Sequence, residues 1–335
     1  MAEPFGGGRA GRRARWRQRA QPRRGLVPPA DLTALAIDVG GAARRYHLAP
    51  PPPGDPSRAP ILVVLHGAGG QGPGMAAMTQ LDRRGPAAGF VTVFTDGVGR
   101  VWNDTRGSAA LARRAHVDDV GFLQALVAGL AAAGRGRADR VFLAGMSNGA
   151  LMAEHVARHG LLSVAGLALV AGPGTQSSRS AHPRPAQACA VVVFAGTADP
   201  LIPYGGGAIG PLGRVALRRD AGAGARGQAV AAEDATAEWA AANRITAAPV
   251  SEDLAMPAGA LPVRRTTWAA PGRPPAVLYR IDGGGHTWPG HDALPEWWLG
   301  ATTESIDATE LMWSFFQRHP LHKKTAGTEA SPSPL

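Results

Sequence analysis

A serine between two glycines, in Gly145-Met146-Ser147-Asn148-Gly149, is the part of this chain best suited to covalent chemistry. The spacing is G-x-S-x-G. The apolar run Val141-Phe142-Leu143-Ala144 precedes it, and a helical pattern from Asn148 to about His159 follows. A serine hydroxyl attacks a carbonyl carbon only when a neighbouring base takes its proton. It must also project from the backbone, which a tight strand-to-helix turn achieves. Such a turn requires glycine where side chains at 145 and 149 would strike the adjoining strand and helix. The helix also aims its first amides at charge developing near the hydroxyl. Ser147 is the candidate nucleophile.

The base and its orienting carboxylate are sought downstream, at other strand ends. The run Val191–Phe194 leads into Ala195-Gly196-Thr197-Ala198-Asp199-Pro200, which places Asp199 in the loop after a buried strand. The run Val277–Ile281 leads into Asp282-Gly283-Gly284-Gly285-His286, which places His286 likewise. Of the ten histidines, His155 and His159 read as surface residues of the helix after the serine. His182 falls in a proline-rich loop, His319 and His322 lie near the C-terminus, and His291 lies further from its strand end. Asp282 is the alternative acid, but it precedes His286 too closely to face its ring. The candidate set is Ser147, Asp199 and His286.

Acyl transfer passes through an oxyanion that needs N–H donors. The Asn148 amide, directly after the nucleophile, is one candidate. The loop Leu65-His66-Gly67-Ala68-Gly69-Gly70 offers the other, assigned to the Ala68 amide with Gly67 as the rival. His66 is expected to brace this loop. Trp102, Trp288 and Tyr204 stand near the same rim and are candidates for substrate contact, with a packing role as the alternative for each.

These residues must be positioned by a scaffold. Short continuous apolar runs occur at Ile61–Leu65, Phe90–Phe94, Val141–Ala144, Gly166–Val170, Val191–Ala195 and Val277–Ile281, the pattern of strands buried on both faces. Helical patterns lie between several of them, one with Val117, Val120, Leu123, Val127 and Leu130 behind Asp118 and Asp119. Others run from Glu233 to Asn243 and from Ser305 to Phe316. Alternation of this kind predicts a mostly parallel central sheet with helices on both faces, the α/β-hydrolase fold. Edge strands are expected near Ala36–Asp38 and Arg45–His47. The domain is expected over 35–320, with a lid-like insertion at about 203–275 or, equally, a surface excursion there.

The net charge of +10 is concentrated at one end. Residues 1–24 hold eight arginines and one glutamate, leaving +3 for the rest. Residues 1–30 are therefore expected to be a disordered Arg-rich extension, and 321–335 a disordered tail. An alternative of another class, a polyanion-binding or non-catalytic ligand-binding protein, draws on that extension. Its charge lies outside the fold, so nucleic acid is not expected as a partner. No stretch approaches the roughly 20 apolar residues of a bilayer span, so no membrane is expected. The start lacks the apolar core of a secretory signal, which by default places the protein in the cytoplasm. The single cysteine, Cys189, excludes an intrachain disulfide and is expected to be buried.

Six segments, in order over about residues 35–317, resemble one family. They are Leu65-His66-Gly67 with Gly69-Gly70; Trp102-Asn103-Asp104; Val117-Asp118-Asp119-Val120-Gly121-Phe122; Gly145–Gly149; Gly196-Thr197-Ala198-Asp199-Pro200; and Gly283-Gly284-Gly285-His286-Thr287-Trp288-Pro289-Gly290. The family comprises secreted polyhydroxybutyrate depolymerase-like and feruloyl esterase-like hydrolases, including acetylxylan esterases of carbohydrate esterase family one. The resemblance implies a Ser147–Asp199–His286 triad acting on carboxylic esters, hydroxyalkanoate oligomers or acylated saccharides, with no metal and no organic cofactor. It also implies an extracellular setting. Two departures weaken that last point: Ala68 and the segment Asn243-Arg244-Ile245 stand where members often carry cysteines.

Overall fold

The computed structural model describes residues 27–104, 106, 116–210, 227–291 and 295–319. The Arg-rich extension up to residue 26 and the tail from 320 lie outside the described residues. The strands are β1 Thr33–Val39, β2 Ala42–Leu48, β3 Pro60–Leu65, β4 Val91–Thr95, β5 Arg137–Met146, β6 Val164–Val170, β7 Ala190–Gly196, β8 Gly207–Ala208, β9 Gln228–Ala229, β10 Val250–Asp253, β11 Val263–Trp268 and β12 Ala276–Ile281. The helices are α1 Gly72–Thr79, α2 Leu81–Ala87, α3 Asp119–Ala132, α4 Asn148–Arg158, α5 Gln176–Ala181, α6 Ala232–Ala242, α7 Glu296–Leu299 and α8 Ala308–Arg318.

Ten strands form one sheet in the order β1-β2-β4-β3-β5-β6-β7-β12-β11-β10. The six from β4 to β12 are parallel, and antiparallel pairs close both edges. This is the α/β-hydrolase fold that the alternation predicts. Strand β3 shows why its residues are continuously apolar. Ile61, Val63 and Leu65 face one core with α3, α4 and α6, whereas Leu62 and Val64 face the other with α1, α2 and α8. Neither face meets water, so period-2 alternation has no place there. At one edge Gly40 and Gly41, with φ of 60° and 83°, make the two-residue turn that pairs Val39 with Ala42.

Helix α3 starts where its acidic pair allows. Asp118 accepts from the Gly121 amide at 2.7 Å and caps the first turn. Asp119 points inward, ion-pairs with buried Arg44 of β2 and accepts from the Asn103 amide at 2.7 Å. The Arg44 guanidinium also lies over the Phe122 ring, 4.2 Å from its centroid.

The described part of the stretch 203–275, expected as a lid-like insertion or a surface excursion, contributes a helix and strands to the fold. Helix α6 packs against β7 and β12, with Trp239 fully buried among Ala232, Ala240 and the sheet. Its alanines let the helix axis approach the strands closely. Strands β10 and β11 extend the main sheet, while β8 and β9 form a short separate ribbon. Helix α6 lies where the pattern Glu233–Asn243 predicts a helix, and the edge strands are the elements the sequence did not mark. Residues 211–226 lie outside the described residues. Cys189 is buried in the core, and burial raises its pKa. No described helix is long and apolar enough to cross a membrane.

The last turn of α4 corrects one expectation. His155 and His159 do not read as ordinary surface residues: His155 is buried, and its ring lies 4.2 Å from that of His159, tilted by 50°, with His182 a further 4.3 Å from His159. Burial, reinforced by the two neighbouring imidazoles, pushes His155 down to about 4. A histidine whose folded pKa lies below the unfolded value of ~6.5 gives its full stabilisation above that value. That stabilisation is lost as pH falls toward the folded pKa, because the unfolded chain then binds more protons. Calorimetric melts should therefore show Tm falling between about pH 6.5 and 4, with a shallower fall in His155→Gln. Identical slopes in the two proteins would remove His155 as a cause.

Candidate active site

The nucleophile turn is built by contact. Ser147 sits between β5 and α4 with φ 55° and ψ −124°, a conformation costly for a residue with a Cβ. Its amide donates to the Val170 carbonyl at 2.8 Å, and its carbonyl accepts from Leu151 at 2.9 Å. A Cβ on Gly145 would lie 2.5 Å from the Gly149 carbonyl carbon and oxygen. One on Gly149 would lie 2.5 Å from the carbonyl oxygens of Leu65 and His66. The glycines thus allow α4 to start directly against β3. The serine side chain makes no capping bond to the helix.

Asp199 and His286 meet because their strands are neighbours. Parallel pairing puts Gly196 of β7 beside Ile281 of β12, and the loops beyond remain joined. Thr197 and Ala198 donate backbone hydrogen bonds to Ile281 and Gly284, at 2.9 Å each. The Gly283 amide donates to the Thr197 hydroxyl at 2.8 Å. Asp199 Oδ1 accepts from the amides of Leu201 and Ile202, at 2.7 and 2.8 Å. Its Oδ2 lies 2.7 Å from His286 Nδ1, both side chains being almost wholly buried. The alternative acid, Asp282, pairs at 2.7 Å with Arg280 in a partly exposed position. Ser147 and His286 line one cavity of about 420 Å³.

The loop after β3 forms another wall of that cavity, with Gly67, Ala68, Gly69 and Gly70 all lining it. His66 braces it from behind: Nδ1 donates to the Gly67 carbonyl at 2.8 Å, and Nε2 accepts from the Gly97 amide at 2.9 Å. Burial lowers its pKa, which suits this neutral, doubly engaged ring. The Gly69 amide donates to Arg100 and the Gly70 amide to Gly67, whereas no such bond takes up the Ala68 amide among the described residues.

The three aromatic candidates stand elsewhere. Trp102 is fully buried, stacks on Phe122, and donates from Nε1 to the His66 carbonyl at 2.9 Å. Trp288 is fully buried and donates to Thr309 Oγ1 at 3.0 Å. Tyr204 donates its hydroxyl to Glu233 at 2.8 Å. None of them lines the cavity. An indole N–H finds its partner inside the core as readily as at a rim. The cavity wall is instead completed by Met75 and Met78 of α1, Met146, Trp298 and Leu299. Sequence reasoning missed these. Helix α1 is short and holds two glycines and a proline, so its period is hidden. The paired tryptophans Trp297-Trp298 were the available signal.

The triplet Trp102-Asn103-Asp104 has a different use. The Trp102 amide donates to Asn148 Oδ1 at 2.7 Å, and Asn148 Nδ2 donates to the Trp102 carbonyl at 3.0 Å and to Asp104 Oδ2 at 2.7 Å. Asp104 is fully buried, which raises its pKa although Arg106 and Asn148 oppose the shift. The residue after the serine is thereby tied to the loop after β4. Among the described residues, no group of three or more His, Cys, Asp or Glu could hold a metal ion.

The sheet, with a serine on its strand-to-helix turn, defines an α/β-hydrolase enzyme of the serine esterase class. No protein-family model matches the chain. It is 32% identical over 267 residues to "Putative esterase NocK" of Nocardia uniformis subsp. tsuyamanensis, covering 79% of this chain and 76% of that one. The chain belongs to that family, esterases of the α/β-hydrolase type. Acetyl xylan esterase from Aspergillus awamori shares the fold with a TM-score of 0.51 at 13% identity, over 85% of this chain and 100% of that one. A thermostable esterase aligns over 52% of this chain and 48% of its own, with a TM-score of 0.40 at 18% identity.

Two substitutions test how the turn is held. Gly149→Ala should destabilise the protein by about 1–3 kcal/mol, since backbone carbonyls cannot move aside, and lower Tm by several degrees. An unchanged melting curve would contradict the contact. Asn148→Ala should lower kcat about tenfold or more while leaving KM near normal. A double-mutant cycle with Asp104→Ala should give a coupling of roughly 0.5–3 kcal/mol, because both remove one tie. Strict additivity would mean that the two act separately.

Proposed function

We propose that this protein hydrolyses carboxylic esters through Ser147, His286 and Asp199. The observation that carries the reading is the 2.7 Å Asp199–His286 hydrogen bond at adjoining strand ends, with His286 on the same cavity as Ser147. Asp199 holds the proton on Nδ1, which leaves Nε2 as the base. Nε2 takes the Ser147 proton as Oγ bonds to the ester carbon, and the carbonyl electron pair moves onto oxygen. The amides of Asn148 and Ala68 meet that oxyanion, each worth about 3–4 kcal/mol of transition-state stabilisation. Collapse expels the alcohol, which receives the proton from His286. Water, deprotonated by the same ring, then releases the acid and restores Ser147.

The substrate that fits the motif forms is a hydroxyalkanoate oligomer or a comparable small ester, as in polyhydroxybutyrate depolymerase-like enzymes. Feruloylated or acetylated saccharides form the second reading. It draws on likeness of fold, and the cavity wall is poor in polar side chains for sugar hydroxyls. Among the described residues, beyond His66, Ser147 and His286 it presents only Gln71 and the Trp298 indole.

With a p-nitrophenyl ester, Ser147→Ala should lower kcat by about 10⁶, and Asp199→Asn by about 10⁴ with geometry retained. A fluorophosphonate should label wild type at Ser147 and leave the alanine variant unlabelled. Near-normal turnover by Ser147→Ala would overturn the assignment.

A further inference from the structure

The cavity beside Ser147 carries more information than its position. Its wall draws on elements far apart in the chain: Met75 and Met78 from α1, Met146 at the end of β5, and Trp298 with Leu299 from α7. The rest is the glycine loop, Gln71, Gly74, His66, Ser147 and His286. Among the described residues, no lysine, arginine, aspartate or glutamate lines it. His66 presents no spare polar atom, since both its ring nitrogens are engaged with backbone. Gln71 Oε1 is taken by Arg100 at 3.2 Å. Among the described residues the wall is therefore thioether-rich and holds no ammonium, guanidinium or carboxylate; Gln71 Nε2 and the Trp298 indole are neutral donors, and a buried carboxylate finds no cation to pair with it. Methionine is unbranched and adapts its shape to an apolar guest.

Resting on the esterase reading above, we infer that this cavity is a subsite for a flexible, uncharged hydrocarbon chain of the ester, and that Met75, Met78 and Trp298 set the length accepted. At about 420 Å³ it has room for a chain of about six to eight carbons beside the ester group. The chain belongs to the acyl or to the alcohol half, and two substrate series separate these sources. Chains that fill the cavity exchange water for methionine and leucine surface. Each added methylene should raise kcat/KM by up to about fourfold until the space is full. A terminal carboxylate meets no cation there and should be rejected.

The test uses the full chain with p-nitrophenyl esters from acetyl to decanoyl, and with alkyl acetates from ethyl to octyl. One series should rise by about tenfold or more from its shortest member to about six carbons and then level or fall. p-Nitrophenyl hemisuccinate should react at least about a hundredfold more slowly than the butyrate. Met78→Ala should move the optimum to longer chains. Should that variant fail to fold, Trp298→Ala, at a half-buried position, should widen the length range instead. Trp297→Ala, 87% exposed and outside the cavity, should keep the wild-type profile. Flat profiles in both series, or hemisuccinate as good as butyrate, with hydrolysis still abolished by Ser147→Ala, overturn the subsite and leave the esterase reading standing. An optimum unmoved in both cavity variants also overturns it. Absence of any Ser147-dependent hydrolysis overturns both.

Discussion

Helix α4 begins where β3 ends, and there is no room between them for a side chain at either flanking position. Ser147 must turn the chain through a left-handed conformation in that gap, with Gly145 against the helix backbone and Gly149 against the carbonyls of Leu65 and His66. This close approach fixes three things together. It sets the serine at the strand end, brings the loop after β3 alongside, and aims the first amides of α4 at the same space. An L-residue with positive φ is tolerated because surrounding backbone over-determines it.

The second arrangement that matters is lateral. Asp199 and His286 are 87 residues apart in sequence, yet they need only the adjacency of β7 and β12 to meet. Backbone hydrogen bonds continue past the last ladder pair, so the two loops behave as an extension of the sheet. The glycine run 283–285 permits that packing: a Cβ on Gly285 would run into the Leu299 and Gly300 backbone. The His286 amide in turn donates to the Leu299 carbonyl at 2.6 Å, which ties His286 to the cavity wall.

Buried charge connects the sheet edge to this centre. Arg44 of β2 pairs with Asp119, Asp119 accepts from Asn103, and the next residue, Asp104, accepts from Asn148. Each carboxylate has partners, as burial requires. Arg106 adds a further partner to Asp104, and the network holds the loops after β4 and β5 in one register.

Much of this follows from local sequence. Continuous Val, Ile and Leu runs specify strands covered on both faces; Asp118 specifies the start of α3; Gly145 and Gly149 specify the nucleophile turn. Asp199 and His286 stand out in sequence because each lies in the loop just past a continuous apolar run, and a strand end is a position that sequence marks. What sequence could not supply is which neighbours a side chain meets after the sheet is assembled. Trp102, Trp288 and Tyr204 lie close to the rim in sequence, but tertiary packing turns them into the core or onto Glu233. Met75, Met78 and Trp298, unremarkable in their own segments, become one wall because α1 and α7 converge over Ser147. Local chemistry thus determined the turn and the three strand-end groups. Strand order and helix convergence, set by long-range burial of apolar surface, decided what surrounds them.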